Sequence, residues 1–205
     1  ASDTIRFSNA RVNGKCTVES NSRVQIEYSS VTDITLEGDG NLAAGSAAEV
    51  GTLTVGKQAS GASVTVTGEA VISAVAVQAA AEINVAGSVS SVKVEDSVKQ
   101  DKAELKITVN ESAEVDNIEL HAAADVKVAG TVSSVKVAET AKEDSAELKI
   151  DVAESATITA IELNASASVN VAGNVQAVMV TEAAKEDTAD MNITVAQTAE
   201  VARVE

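Results

Sequence analysis

Proline and tryptophan are absent from the 205 residues, and the only aromatic side chains are Phe7 and Tyr28. Because 45% of the residues are nevertheless apolar, any core built from this chain has to be aliphatic, thin and regular. Tandem immunoglobulin-like sandwiches are excluded on the same ground, since they need a core tryptophan and frequent hairpin signals. A single cysteine, Cys16, excludes an internal disulfide and leaves the redox compartment open. It lies in the alternating run "CTV" with Val18 and reads as a small buried hydrophobe rather than a reactive thiol. The one histidine, His121, excludes a multi-histidine metal centre and leaves any serine or cysteine nucleophile without a convincing partner. It sits in "HAA", where a later copy of the same segment has "NAS" at Asn164, so it reads as a surface corner residue.

Positive charge is scarce as well. Thirty-one acids face 15 bases for a net charge of -16, and such a field repels phosphate backbones and anionic headgroups, which argues against nucleic acid as a partner. No apolar run approaches the roughly 20 residues of a membrane span, so membrane insertion is not expected. The opening "ASDTIRF" carries neither an initiator methionine nor a signal peptide, and a removed leader or an excised piece is the expectation. The 11 glycines are scattered, with Gly68, Gly87, Gly130 and Gly173 at strand ends, and form no phosphate-binding loop.

What is present is repetition. "AGSVSSVKV" (86 to 94) returns as "AGTVSSVKV" (129 to 137), 43 positions later with one change. A pattern of aliphatic-x-x-aliphatic-x-aliphatic begins at Val50, Ile72, Val89, Val115, Val132, Ile158, Val175 and Val201, with spacings of 22, 17, 26, 17, 26, 17 and 26. A second pattern interleaves with it: "ASVTVTG" at 62, "AEINVAG" at 81, "AELKITV" at 103, "ADVKVAG" at 124, "AELKIDV" at 146, "ASVNVAG" at 167 and "ADMNITV" at 189. Its spacings are 19, 22, 21, 22, 21 and 22. Alternation of apolar and polar residues over five to seven positions, rich in Val and Ile, means half-buried strands.

Two strands in about 21 residues make one coil of an all-β, single-stranded parallel β-helix (β-solenoid), with a two-coil repeat of 43 residues. A propeller blade also suits 43 residues but does not split into two similar halves. The chain reads as one continuous solenoid over residues 1–205, with less regular coils over 1–60 and regular double coils over 61–205. "TIRF" with "CTV", "RVQIEY" (23 to 28) and "VTDITL" (31 to 36) fill the first coils. About ten coils at the strand spacing give a rod of about 45 to 50 Å, and crossover rules favour a right-handed winding.

The outward residues explain why the period covers two coils. In the first pattern they read Lys93, Glu119, Lys136, Glu162, Met179 and Glu205, a column in which opposite charges alternate. The second pattern, aligned on its leading alanines, gives an acidic stripe of Glu82, Glu104, Asp125, Glu147, Ser168 and Asp190 beside a stripe of Asn84, Lys106, Lys127, Lys149, Asn170 and Asn192. Lateral neutralisation on a solvated face is the plain reading of these stripes. The functional alternative is weak calcium binding by Glu82, Glu104, Asp125 and Glu147, because calcium accepts flexible oxygen ligation. Corner segments "EDSVKQDK", "ETAKEDS" and "EAAKEDT" repeat Lys99, Lys142 and Lys185 beside Asp101, Asp144 and Asp187, as solvated charged corners. "EGDGN" (37 to 41) reads as a plain turn, with a calcium turn as the alternative. Asn110, Asn164 and Asn192 begin Asn-x-Ser/Thr triplets, a pattern that chance supplies in such a sequence.

Catalysis finds no support. Enzymes on parallel β-helices use aromatic sugar platforms in a walled groove, and this chain has few aromatics and few long insertions. The Gly-Gly-x-Gly-x-Asp calcium repeat is absent, and Thr35, Thr54 and Thr65 do not continue into the flat threonine array of an ice-binding face.

"INVAGSVSSVKV" and "VNVAGNVQAVMV", followed by corners rich in alanine and acid, resemble the Val/Ala/Thr repeat regions of Gram-positive bacterial surface proteins of the S-layer-homology-associated type. The resemblance spans roughly residues 48 to 205 and carries no binding residue over. It implies a non-catalytic solenoid, extracellular or on a bacterial cell surface, acting as a stalk or spacer. The sequence stops at "EVARVE" without a polar cap, so the expectation includes a longer solenoid or head-to-tail self-assembly into a fibre through the open ends. The alternative is an adhesin that holds glycan or calcium on the acidic stripe or corner loops.

Overall fold

A computed structural model describes residues 3–19, 21–100, 104–143, 147–185 and 191–205. Its strands come in pairs, one pair per coil. The first five pairs are β1 (Thr4–Ser8) with β2 (Arg11–Val18), β3 (Arg23–Glu27) with β4 (Ser30–Leu36), β5 (Asn41–Ala44) with β6 (Glu49–Val55), β7 (Ala62–Val66) with β8 (Val71–Val77), and β9 (Ala81–Val85) with β10 (Ser88–Val94). The rest are β11 (Lys106–Val109) with β12 (Glu114–Leu120), β13 (Asp125–Val128) with β14 (Thr131–Val137), β15 (Lys149–Val152) with β16 (Thr157–Leu163), β17 (Ser168–Val171) with β18 (Asn174–Val180), and β19 (Asn192–Val195) with β20 (Glu200–Val201).

Odd-numbered strands form one ten-stranded sheet and even-numbered strands another, among the described residues, each in strict sequence order and parallel throughout. This is the expected parallel β-solenoid. Pairing runs through the less regular N-terminal coils into the regular ones without a break. The segment 41–44, which sequence periodicity passed over, supplies β5.

Alternation builds the core directly. Val24, Leu42, Val64, Ile83, Ile107, Val126, Ile150 and Val169 stack inward in the first sheet, all essentially without solvent exposure. Val31, Val50, Ile72, Val89, Val115, Val132, Ile158 and Val175 do the same in the second. Full burial of each Val or Ile stabilises by about 1.5–3 kcal/mol before chain entropy is charged against it. The x-x step of the first pattern is a pair of adjacent positions between two inward residues, as in β10, where Ser90 is exposed and Ser91 half-buried between Val89 and Val92. Cys16 stacks beside Ile34 in such a column, half-buried rather than fully buried, because β2 is the outermost strand of its sheet.

Coils alternate between short and long. In the second sheet, partners lie 17 residues apart (Thr157↔Asn174) and then 26 (Asn174↔Glu200), as the first pattern predicted. In the first sheet they lie 19 apart (Lys106↔Asp125) and then 24 (Asp125↔Lys149), not 21 and 22. The difference is a register shift of two residues. Lys106 pairs with Glu82, so the segment "AELKITV" sits two positions away from its alignment on leading alanines. A two-residue slip keeps every inward residue inward, which is why periodicity alone does not detect it. The surplus residues of each long coil lie between its two sheets, in 3₁₀ turns at Asp96–Gln100 and Glu139–Glu143 and an α-helical turn at Glu182–Lys185.

Candidate functional site

Corrected register changes the charged faces. Glu82, Glu104, Asp125 and Glu147 do not form one acidic stripe. The column running through the first sheet is Ser63, Glu82, Lys106, Asp125, Lys149, Ser168 and Asn192, in which the signs alternate. Glu104 and Glu147 lie just before their strands and pair along the chain instead, with Lys106 at 3.2 Å and Lys149 at 3.1 Å. Lys127 lies 3.4 Å from Asp125. Asp190 falls outside the described residues.

A lysine between every two acids leaves no nest of carboxylates for calcium in that column, and the described residues contain no group of three or more His, Cys, Asp or Glu side chains able to hold a metal ion. Glu147, followed by Asp125 and Glu104, raises the Lys149 ammonium above the usual lysine value by hydrogen bonding and charge. Asp125 Oδ1 is buried without a hydrogen-bond partner, and the cation against this carboxylate is Lys127, on the other oxygen, Oδ2.

The second sheet carries the ladder read from the sequence. Lys93 pairs in register with Glu119, Glu119 with Lys136, Lys136 with Glu162, and Glu162 with Met179. Direct contact occurs between Lys136 and Glu162 at 3.6 Å, whereas Lys93 turns along its own strand to Glu95 at 3.2 Å. The two ladders run in antiphase. The coil with Glu82 has Lys93, the next has Lys106 and Glu119, then Asp125 and Lys136, then Lys149 and Glu162.

A slip by one coil would therefore set like charge on like charge in both sheets. Lys106→Glu, which stacks three acids in a row, should lower stability by about 1 kcal/mol in urea unfolding, and 0.5 M salt should reduce the loss. Glu104→Gln, outside the column, should have less than half that effect.

At the corner inserts, Lys99 lies 3.2 Å from Asp96 and donates to the Thr140 carbonyl at 2.5 Å, tying one 3₁₀ turn to the next across the intervening coil. Hydrogen bonding and charge from Lys99 hold the Asp96 carboxyl below the usual carboxylate range. That contribution is present above the ordinary carboxylate pKa and disappears as pH falls through the lowered folded value. Lys99→Met should move Asp96 back up in a carboxyl NMR titration. His121 fills the corner between these turns: Nδ1 lies 3.0 Å from Thr140 Oγ1, and Nε2 lies 3.1 Å from Glu119 Oε1 but out of line for a hydrogen bond. Lys185 pairs with Glu182 at 2.7 Å. Asp101, Asp144, Asp187 and the Lys142 side chain lie outside the described residues.

Concavities among the described residues include the following. An apolar groove of about 420 Å³ follows the alanine column Ala129, Ala153, Ala172 and Ala196. A polar one of about 330 Å³ lies over Asn117, Glu119 and Lys136. A third, of about 450 Å³, sits at the corner of the first three coils beside Tyr28. Tyr28 is not part of a strand, contrary to the reading of "RVQIEY": β3 ends at Glu27, and Tyr28 turns the corner with φ of 48°. The positive φ leaves no trace in the sequence, because the residue in the turn is not glycine.

Fold and charged columns together define a repeat protein, a parallel β-solenoid with polar faces and an aliphatic core. Compared with models of protein families, with curated proteins and with solved structures, the chain matches none.

Proposed function

We propose that this chain is a non-catalytic structural solenoid, a stiff stalk or spacer exposed on a bacterial cell surface. The observation that carries the reading is the unbroken stacking of aliphatic columns through the ten described strand pairs, with two antiphase columns of alternating charge on the outer faces. Each coil rests only on its neighbours, so length is set by coil number and stiffness by continuity of the columns. The extracellular placement rests on the resemblance to Gram-positive surface repeats. Small-angle X-ray scattering tests the spacer directly: the expected profile is a monodisperse rod of about 45–50 Å with a constant cross-section. A compact or flexible profile would overturn it.

End-to-end docking into a fibre is a second reading, favoured by the all-parallel stacking, in which a strand edge can take up a further coil. The β2 strand is less suited to such pairing. β2 carries a bulge between Val12 and Lys15 with Gly14 at φ of 118°, and Arg11 and Lys15 project from it, devices that discourage further strand pairing. Light scattering across a hundredfold concentration range separates the two: constant monomer mass leaves the spacer alone, and growth with concentration establishes the fibre unit.

A further inference from the structure

We propose that the corner of the first three coils binds a neutral oligosaccharide, with Tyr28 as the platform on which a sugar ring rests. This goes beyond the spacer reading and does not depend on it.

The chain places its only tyrosine where burial pressure would not put it. Tyr28 is 59% exposed, although nearly every other large apolar side chain in the central coils is buried. Its backbone is left-handed (φ 48°), as are those of Asn9 (φ 51°) and Ala47 (φ 50°) in the coils before and after. Asparagine tolerates that region, whereas tyrosine and alanine are held there at a cost, and backbone strain of this kind gathers at binding sites. The three turns stack 19 residues apart and make one wall of the 450 Å³ concavity, a volume within the range of small-ligand sites.

The other wall is polar. Arg11, Ser30 and Glu49 occupy one column, each in register with the next, so the backbones that carry the cation and the acid lie two strand spacings apart, about 10 Å, with Ser30 between them. Neither side chain, nor the Tyr28 hydroxyl, makes a hydrogen bond or ion pair with a described residue. Most lysines of the regular coils, by contrast, have an acid within 4 Å.

The site thus offers an aromatic ring in the middle coil, five N–H donors on Arg11 at one end, an acceptor carboxylate on Glu49 at the other, and Asn9 able to do both. A pyranose matches this set, since its hydroxyls both donate and accept while its C–H face packs on a ring. The span across three coils suits two or three linked sugars. Net charge decides against acidic polymers: a chain of -16 repels polyuronates and sulfated glycans, so the saccharide is neutral.

With one tyrosine and no tryptophan, intrinsic emission reports on this corner alone. The test is a printed array of neutral and acidic oligosaccharides, followed by tyrosine-fluorescence titration with chitobiose, cellobiose, maltose and their trisaccharides. The expected result is array signal on a neutral glycan and a saturable emission change, weakened at least tenfold by Arg11→Ala or Glu49→Gln. Tyr28→Asn keeps a residue that accepts the left-handed turn, so its far-UV circular dichroism should stay unchanged while the array signal disappears. No saturable response to any neutral saccharide at 10 mM would overturn the proposal. So would binding confined to acidic glycans, or array binding retained by Tyr28→Asn.

Discussion

Ile118→Asp should split the solenoid at its middle and cost more than about 4 kcal/mol, enough to remove two-state unfolding altogether. Ile118 is 1% exposed in β12, stacked between Val92 and Val135, with no polar side chain in its column to receive a carboxylate. Because each coil is supported only by its neighbours, damage in one interrupts both sheets at once and leaves two shorter stacks. Hydrogen exchange should show protection lost first over β10 to β14, with the coils around Leu42 and Leu53 holding longer. Asn117→Asp, one residue earlier and exposed, should stay within about 0.5 kcal/mol of the parent. Equal loss for both variants would mean that stability resides elsewhere than in the inward columns.

That division between inward and outward positions was legible in the sequence through the regular coils, though not at residues 41–44, whose Leu42 and Ala44 point inward. Period-two alternation identifies inward residues such as Ile107 and Val126 without any structure, and the x-x step identifies the strands of the second sheet with their pairing distances. Register in the first sheet was not legible from alternation, because shifting "AELKITV" by two leaves Leu105, Ile107 and Val109 all inward. The missing signal was charge. Requiring the opposite-sign stacking that Lys93 and Glu119 already displayed would have set Lys106 on Glu82 and removed the acidic stripe. The Tyr28 corner escaped for a different reason: an unpaired side chain in a left-handed turn is a property of three stacked coils, and no single stretch of sequence contains it.

Gly130→Ala should lower stability by about 2–3 kcal/mol, and Gly173→Ala by as much, although neither glycine has a positive φ. The reason is clearance. A Cβ on Gly130 would sit 2.3 Å from the Asn110 carbonyl oxygen and 2.6 Å from that of Ala113, and on Gly173 it would meet Ala153 and Ala156 in the same way, at 2.3 and 2.7 Å. These are backbone atoms of the preceding coil and cannot rotate aside. The Thr131 amide donates to Ala113 O at 3.0 Å and the Thr157 amide to Gly130 O at 3.1 Å, so a displaced Gly130 loosens hydrogen bonds to the coils on both sides. Gly68 provides the contrast: φ is +57° and a Cβ would meet nothing within 4 Å, so Gly68→Ala bears only the cost of a left-handed alanine, about 1 kcal/mol. Thermal unfolding of the three variants ranks clearance against backbone freedom. If Gly68→Ala proved the most damaging, the short corners would be governed by dihedral preference, and the close approach of successive coils would not be what requires glycine there.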